Sequence, residues 1–191
     1  MVGNGLTKRG RALLLEWCKR TTNNQMTVDS FKYLPRSIAA YYQTLRVERA
    51  DPIPWTPLSK PLDQCRFALV TTAGIYDAEV DPPFDTEREK RQPMWGDPTY
   101  RRMPRDAQQH QIGASHLHIN NRDIVADVNI VLPIHRFAEL HEQGVIGSPA
   151  PTNYSFMGYQ PNTSEWRERY GPEVAALMKD EAVDAVLLTP A

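Results

Sequence analysis

Two short stretches of the 191-residue chain are predominantly apolar: Phe67-Ala-Leu-Val-Thr-Thr72, entered through Cys65-Arg66, and Val183-Asp-Ala-Val-Leu-Leu188, closed by Thr189-Pro190. Short apolar runs of this kind, bounded by turn residues, read as strands covered on both faces. Elsewhere the apolar positions follow helical spacing. Leu13, Leu14, Trp17 and Cys18 do so within Thr7 to Arg20, and Ile38, Tyr41, Tyr42 and Leu45 form a stripe within Arg36 to Arg49, after Pro35. His135 to Gln143 reads as a short helix stopped by Gly144, and Ser164 to Lys179 as two helices, the second opened by Pro172. Ala114 to Ile119 reads as a further strand.

Strands alternating with helices predict an α/β fold: a mostly parallel sheet flanked by helices, in Rossmann/flavodoxin-like layers. Residues 1–50 read as an N-terminal helical segment and 51–191 as the α/β domain. The two apolar strands should be parallel neighbours. Thr71, Thr72, Gly74 and Thr189 would then cluster at one sheet edge, beyond the carboxyl ends of the strands, where ligands bind in open α/β sheets.

Proline interrupts this rhythm twice. Pro52, Pro54, Pro57 and Pro61 stud a connector, and Pro82, Pro83, Pro93, Pro98 and Pro104 lie in a charged stretch from Asp77 to Gln111. That second stretch reads as one long loop, serving as a lid or subunit contact.

Charge and composition remove several classes. A net charge of −1 gives no electrostatic case for nucleic acid or an anionic membrane. No apolar run reaches the length of a membrane span, and Glu16 breaks the apolar stretch after the basic start too early for a signal peptide. Two cysteines, Cys18 and Cys65, form no disulfide framework and fit a reducing cytoplasm. No Walker loop, dinucleotide fingerprint, nucleophile elbow or zinc-finger spacing occurs, so no cofactor is expected.

Four segments carry candidate chemistry. Thr71-Thr72-Ala73-Gly74 at a strand's end could hold a small anionic ligand or be an ordinary turn. Arg101, Arg102 and Arg105 could clamp a carboxylate, or be neutralised by Glu87, Glu89, Asp97 and Asp106. Ser115-His-Leu-His118 would put both imidazoles on one face of a strand. With Asp123 and Asp127 they suggest a metal set, but Asn120 and Asn121 stand where dinuclear sites need Asp and His. Acid–base work or substrate hydrogen bonding by His116 and His118 is therefore expected, with no metal. Asn153-Tyr-Ser-Phe-Met-Gly-Tyr159 could line a pocket, through Tyr154 and Ser155, or pack as a loop.

Taken together, these segments resemble the selenoprotein B family of the glycine, sarcosine, betaine and D-proline reductases. The matching stretches are Ile53-Pro-Trp-Thr-Pro-Leu58, Phe67 to Gly74, Gly96-Asp-Pro-Thr-Tyr-Arg101, Ser115 to His118, Asp127 to Pro133, Tyr154 to Gly158 and Val183 to Pro190. They run in family order from about Ile53 to the end, while the first fifty residues match less well. One departure is Ile119-Asn-Asn, where the family carries His-Tyr-Asp-His or similar.

The resemblance implies a thiol-dependent reductase. A selenocysteine or cysteine attacks the α-carbon of a small amino-acid-like or betaine-like substrate and displaces the amine, and a second thiol regenerates it. It implies partner subunits and a thioredoxin-like donor, while the charged loop from Asp77 to Gln111, the Tyr41 and Tyr42 helix and an uncovered apolar sheet surface lead to the expectation of a homo-oligomer. The resemblance also implies that Ala191 immediately precedes the nucleophile, so that the polypeptide as given ends at a UGA codon and is catalytically incomplete. Two alternatives stand beside it: a non-catalytic substrate- or partner-binding subunit, and a metal-dependent enzyme using His116, His118 and Asp123.

Overall fold

The computed structural model describes residues 35–44 and 56–191. The chain divides into two compact units, Met1–Trp55 and Thr56–Ala191. In the first, helix α1 spans Arg36–Thr44, begun as Ala39 N–H donates to the Pro35 carbonyl. The helix expected at Thr7 to Arg20 lies outside the described residues, as does Cys18.

The second unit is built on a sheet of five strands. Strand β1 (Arg66–Thr71) lies at its centre, paired along its length with parallel β7 (Ala185–Thr189). Its other edge pairs with two successive parallel strands, β5 (Ser148–Pro149) and β6 (Thr152–Phe156). Antiparallel β3 (Tyr100–Pro104) closes the outer edge of β6. The predicted α/β architecture with a mostly parallel sheet is thus what the chain forms, and the two apolar runs are parallel neighbours, Phe67 opposite Ala185 through Thr71 opposite Thr189.

Side-chain alternation sends the two faces of β1 into different cores. Leu69 packs with Met103, and with Ile75 and Ile112 from the antiparallel ribbon of β2 (Ile75–Asp77) and β4 (Ile112–Ala114). Ile124 of α3 (Asn121–Ala126) and Ile134 of α4 (Ile134–Glu142) complete that side. On the opposite face Ala68, Tyr154 and Phe156 meet Val174 and Met178 of α5 (Gly171–Asp180). Each fully buried aliphatic or aromatic side chain contributes about 1.5–3 kcal/mol by leaving water.

Between β5 and β6 the ladder slips. While β1 advances from Phe67 to Val70, its partner advances from Pro149 to Tyr154, two residues further. The Leu69 N–H left facing this bulge donates to the side-chain Oδ1 of buried Asn153 at 2.9 Å. A backbone donor without a partner there would cost roughly 1–3 kcal/mol, so the asparagine supplies the missing acceptor.

Three expectations are corrected. Strand β7 is not covered on both faces: it pairs only with β1 among the described residues, and its Val186, Leu187 and Leu188 are exposed. The stretch from Asp77 to Gln111 is not one loop: it holds helix α2 (Thr86–Arg91) and strand β3. Pro98 and Pro104 hid β3, but an edge strand tolerates prolines because only one side of its backbone must pair. The strand expected at Ala114 to Ile119 is β4, ending at Ala114, and Leu117–Ile119 bend away. The two helical elements expected in Ser164 to Lys179 are present, with Pro172 in the first turn of the second, and they join without a break because a π-turn at Trp166–Tyr170 runs directly into α5. Pro172 lacks an N–H and its ring would clash with the carbonyl four residues back in a regular helix. The wider turn relieves this, with Gly171 N–H reaching the Trp166 carbonyl.

Candidate functional site

The register of the four main strands aligns one row of side chains across the sheet. Arg101 on β3 stands opposite Ser155 on β6, Ser155 opposite Thr71 on β1, and Thr71 opposite Thr189 on β7. All four lie near the carboxyl ends of the parallel strands, the end of an open α/β sheet where sites form.

Most of these groups are engaged in building the edge. Thr71 Oγ1 donates to the Thr189 carbonyl at 3.1 Å and accepts from Ala73 N–H at 3.2 Å. Thr189 Oγ1 lies within reach of the Val70 and Val131 carbonyls. Thr72 Oγ1 accepts from Ala191 N–H at 2.9 Å. Arg101 does not face an open cleft: Nε and Nη2 donate to the carbonyls of Pro82 and Pro83, and the guanidinium lies 4.3 Å from the Phe84 ring centre. Arg102 and Arg105 are exposed. Ser155 is wholly buried, and among the described residues its hydroxyl has no partner. Tyr154, also wholly buried, points to the other face; its hydroxyl has no partner either, and burial pushes its pKa up.

Two glycines let the chain turn back against this edge. Gly74 sits at φ +63°, a left-handed conformation that costs other residues roughly 1–2 kcal/mol, and its N–H bonds the Phe156 carbonyl. At Gly158 a Cβ would lie 2.7 Å from the Ala191 carbonyl oxygen, 2.9 Å from that of Thr72 and 3.3 Å from His116 Nε2. The end of β7, the end of β1 and an imidazole therefore converge on one bare backbone.

His116 is 4% exposed. Its Nδ1 accepts the backbone N–H of His118 at 3.1 Å, so Nδ1 carries no proton and the neutral ring must carry its hydrogen on Nε2. Nε2 is buried and has no partner among the described residues. Desolvation, and then the neighbouring His118, lower the pKa below the usual histidine value, which agrees with a neutral ring. The loop is clamped by Asn121, whose Oδ1 accepts His116 N–H at 3.3 Å and whose Nδ2 donates to the His116 carbonyl at 2.9 Å. This asparagine holds the histidine in place.

His118 stands in the same bend, its ring centre 5.8 Å from that of His116 and 4.7 Å from Tyr159. Its Nε2 lies 3.0 Å from Oε1 of Glu89, a residue of α2 whose side chain is only 3% exposed. Sequence reasoning treated Glu89 only as a neutralising charge. Nothing in Thr-Glu-Arg-Glu-Lys-Arg sets it apart from Glu87, and only the fold turns one of the two inward.

The described residues hold no cluster of three or more His, Cys, Asp or Glu side chains that could hold a metal ion. Asp123, the third member of the metal alternative, accepts from Asn120 Nδ2. Cys65 is wholly buried at the start of β1, opposite the site, with Sγ 3.5 Å from the Lys60 carbonyl. On the other face of the sheet a cavity of about 410 Å³ opens beside Val70, Phe156, Trp166 and Leu188. No helix of the described residues is long and apolar enough to cross a membrane.

The sequence model of the glycine/sarcosine/betaine reductase selenoprotein B family matches residues 32–191. The D-proline reductase subunit gamma of Acetoanaerobium sticklandii is 37% identical over 135 residues, which is 71% of this chain and 52% of that protein. The chain thus spans about half the length of the curated relative it matches. No solved structure matches it significantly.

Proposed function

The chain belongs to the glycine/sarcosine/betaine reductase selenoprotein B family, and from that premise we propose that it forms the substrate-facing part of a thiol-dependent reductase. The reductase cleaves a C–N bond in a small amino-acid-like or betaine-like substrate. The selenolate or thiolate enters from beyond Ala191 at the end of β7. Its electron pair forms the bond to the substrate α-carbon, and the C–N pair departs with the amine. A thiolate from a partner subunit or a thioredoxin-like donor then attacks the selenium or sulfur, and the C–Se or C–S pair takes a proton to release the deaminated acid. A further thiol of the donor reduces the resulting Se–S or S–S bond, freeing the nucleophile and leaving the donor as a disulfide.

The observation that carries this reading is the convergence at Gly158. The Ala191 carbonyl and His116 Nε2 both lie within 3.3 Å of the space a Cβ there would fill. A nucleophile following Ala191 emerges beside a buried, unpartnered Nε2–H donor. That donor suits a substrate carboxylate: a neutral imidazole stabilises negative charge by hydrogen bonding without itself titrating. His118, half exposed and paired with Glu89, supplies the acid–base function at the departing amine.

The test compares the chain as given with a form carrying selenocysteine or cysteine after Ala191. Both receive partner subunits and dithiothreitol, and amine release from glycine, sarcosine, betaine and D-proline is followed. Release by the extended form alone is expected. Equal release by both forms, or none by either, would overturn the proposal.

A further inference from the structure

Glu89 is placed as few surface-helix carboxylates are. Its side chain is 3% exposed; Oε1 meets His118 Nε2 at 3.0 Å, and Oε2 is buried with no partner among the described residues. The neighbouring residues of α2 leave that oxygen alone, since Lys90 Nζ turns outward to Glu87. A cavity of about 210 Å³ opens beside Glu89, walled by Lys90, Pro93, Leu117, His118 and Tyr159, with the Lys90 ammonium drawn off to Glu87. The Tyr159 hydroxyl is held by the Pro93 carbonyl, so the ring is fixed as a wall and its hydroxyl hydrogen is already committed.

A buried carboxylate oxygen without a donor is costly, and one beside aromatic faces in a small cavity asks for a compact cation. A hydrated metal ion would want further oxygen ligands, and no metal-holding cluster lies among the described residues. A primary or secondary ammonium needs what is here: one carboxylate oxygen to accept an N–H, and ring faces for its remaining positive surface. We propose that Glu89, His118 and Tyr159 form an ammonium-binding pocket that holds the amine end of the substrate. Oε2 receives the substrate N–H while Oε1 keeps the His118 ring in position. This deepens the reading of the chain as a reductase of small amines: the carboxylate end meets His116, and the amine end meets Glu89.

The experiment needs no nucleophile. Methylammonium chloride is titrated into the isotopically labelled chain, with sodium chloride at matched ionic strength as reference, and amide and side-chain shifts are followed. Saturable shifts at residues 88–91, 117–119 and 158–160 are expected with methylammonium only. Glu89→Gln, which keeps the shape and removes the charge, is expected to weaken binding about tenfold or more. Tyr159→Leu weakens it through the lost ring face, and Glu142→Gln, an exposed carboxylate on α4 away from the cavity, leaves it unchanged. If Glu89→Gln does not fold, the contrast between Tyr159→Leu and Glu142→Gln decides. Equal shifts from sodium, or unaltered affinity in both the Glu89 and Tyr159 variants, would overturn the pocket. Because binding is read directly, its failure leaves the amine-release assay untouched, and a failed release assay leaves the pocket standing.

Discussion

The backbone N–H of His118 donates to Nδ1 of His116 at 3.1 Å, and this single bond decides which chemistry the buried histidine can perform. With Nδ1 occupied as an acceptor, His116 presents Nε2–H toward the end of β7 and acts as a hydrogen-bond donor there. Protonating the ring would break that bond and charge a buried group.

Stability should therefore depend on pH in a defined window. The His116 pKa is lowered in the folded chain, so the unfolded chain binds the proton more readily. The stabilising contribution is fully present above the ordinary histidine value of 6.5 and is lost as pH falls from there through the folded-state value. Asp127 is also lowered, by hydrogen bonds from Asn129, and Asp184 by its bonds with Lys60 and Arg66, but these carboxylates act below the ordinary 3.8. Urea midpoints should fall between about pH 7 and about pH 5, and fall less in His116→Gln. His110→Gln, at an exposed position, should retain the wild-type slope. An identical slope in His116→Gln would remove the buried neutral histidine.

Gly158→Ala should injure the site more than the fold. The added methyl would meet two backbone oxygens at 2.7 and 2.9 Å, and neither can swing aside as a side chain could. An overpacked contact of this kind costs roughly 1–3 kcal/mol, relieved most easily by detaching the end of β7. The expected signature is faster amide exchange at Ala191, whose N–H bonds Thr72 Oγ1, with little change at β6. Uniformly faster exchange across the sheet would contradict it.

Asn153→Leu tests the bulge. The substitution keeps the bulk but removes the acceptor for Leu69 N–H, leaving a buried donor unpaired at a cost of roughly 1–3 kcal/mol. Chemical denaturation should show that loss, whereas Gln143→Leu, at an exposed turn, should be nearly neutral.

The parts of this fold that were legible were those where one physical term dominates. Phe67 to Thr72 and Val183 to Leu188 are short, mainly apolar runs, and that pattern marked both as strands of one sheet. Only β1 is covered as such a run implies, while β7 is an edge strand with Val186, Leu187 and Leu188 exposed. Their neighbouring placement brought Thr71, Thr72 and Thr189 together as expected, yet their hydroxyls serve the backbone rather than an open cleft. β3 was hidden because its sequence, Tyr-Arg-Arg-Met-Pro, offers one core residue, Met103, and takes its order from pairing with β6. His116 and His118 were legible as chemistry but not as geometry: a strand would have set both on one face, whereas the bend bonds one ring to the other's backbone. Glu89 was illegible as a site residue, because burial of one charge in a six-residue charged helix depends on what packs above it.

The open face beside β7 gives the last prediction. Val186 is 42% exposed and Leu188 68% exposed, while Val70, Phe156 and Trp166 line the adjoining cavity of about 410 Å³. Among the described residues β7 pairs only with β1, so its outer edge carries free backbone donors and acceptors as well. An apolar surface of this kind next to an unpaired edge favours association or capture of apolar ligands. The chain should bind a hydrophobic fluorescent dye in its folded state and show concentration-dependent sedimentation. Leu188→Lys places a charge on the patch without touching the core, because Leu188 faces out over the cavity, and should reduce both effects while leaving the unfolding midpoint nearly unchanged. Lys is also the residue that natural edge strands use to discourage pairing. If dye binding and sedimentation are the same in Leu188→Lys as in the parent chain, the surface beside β7 is not what drives association.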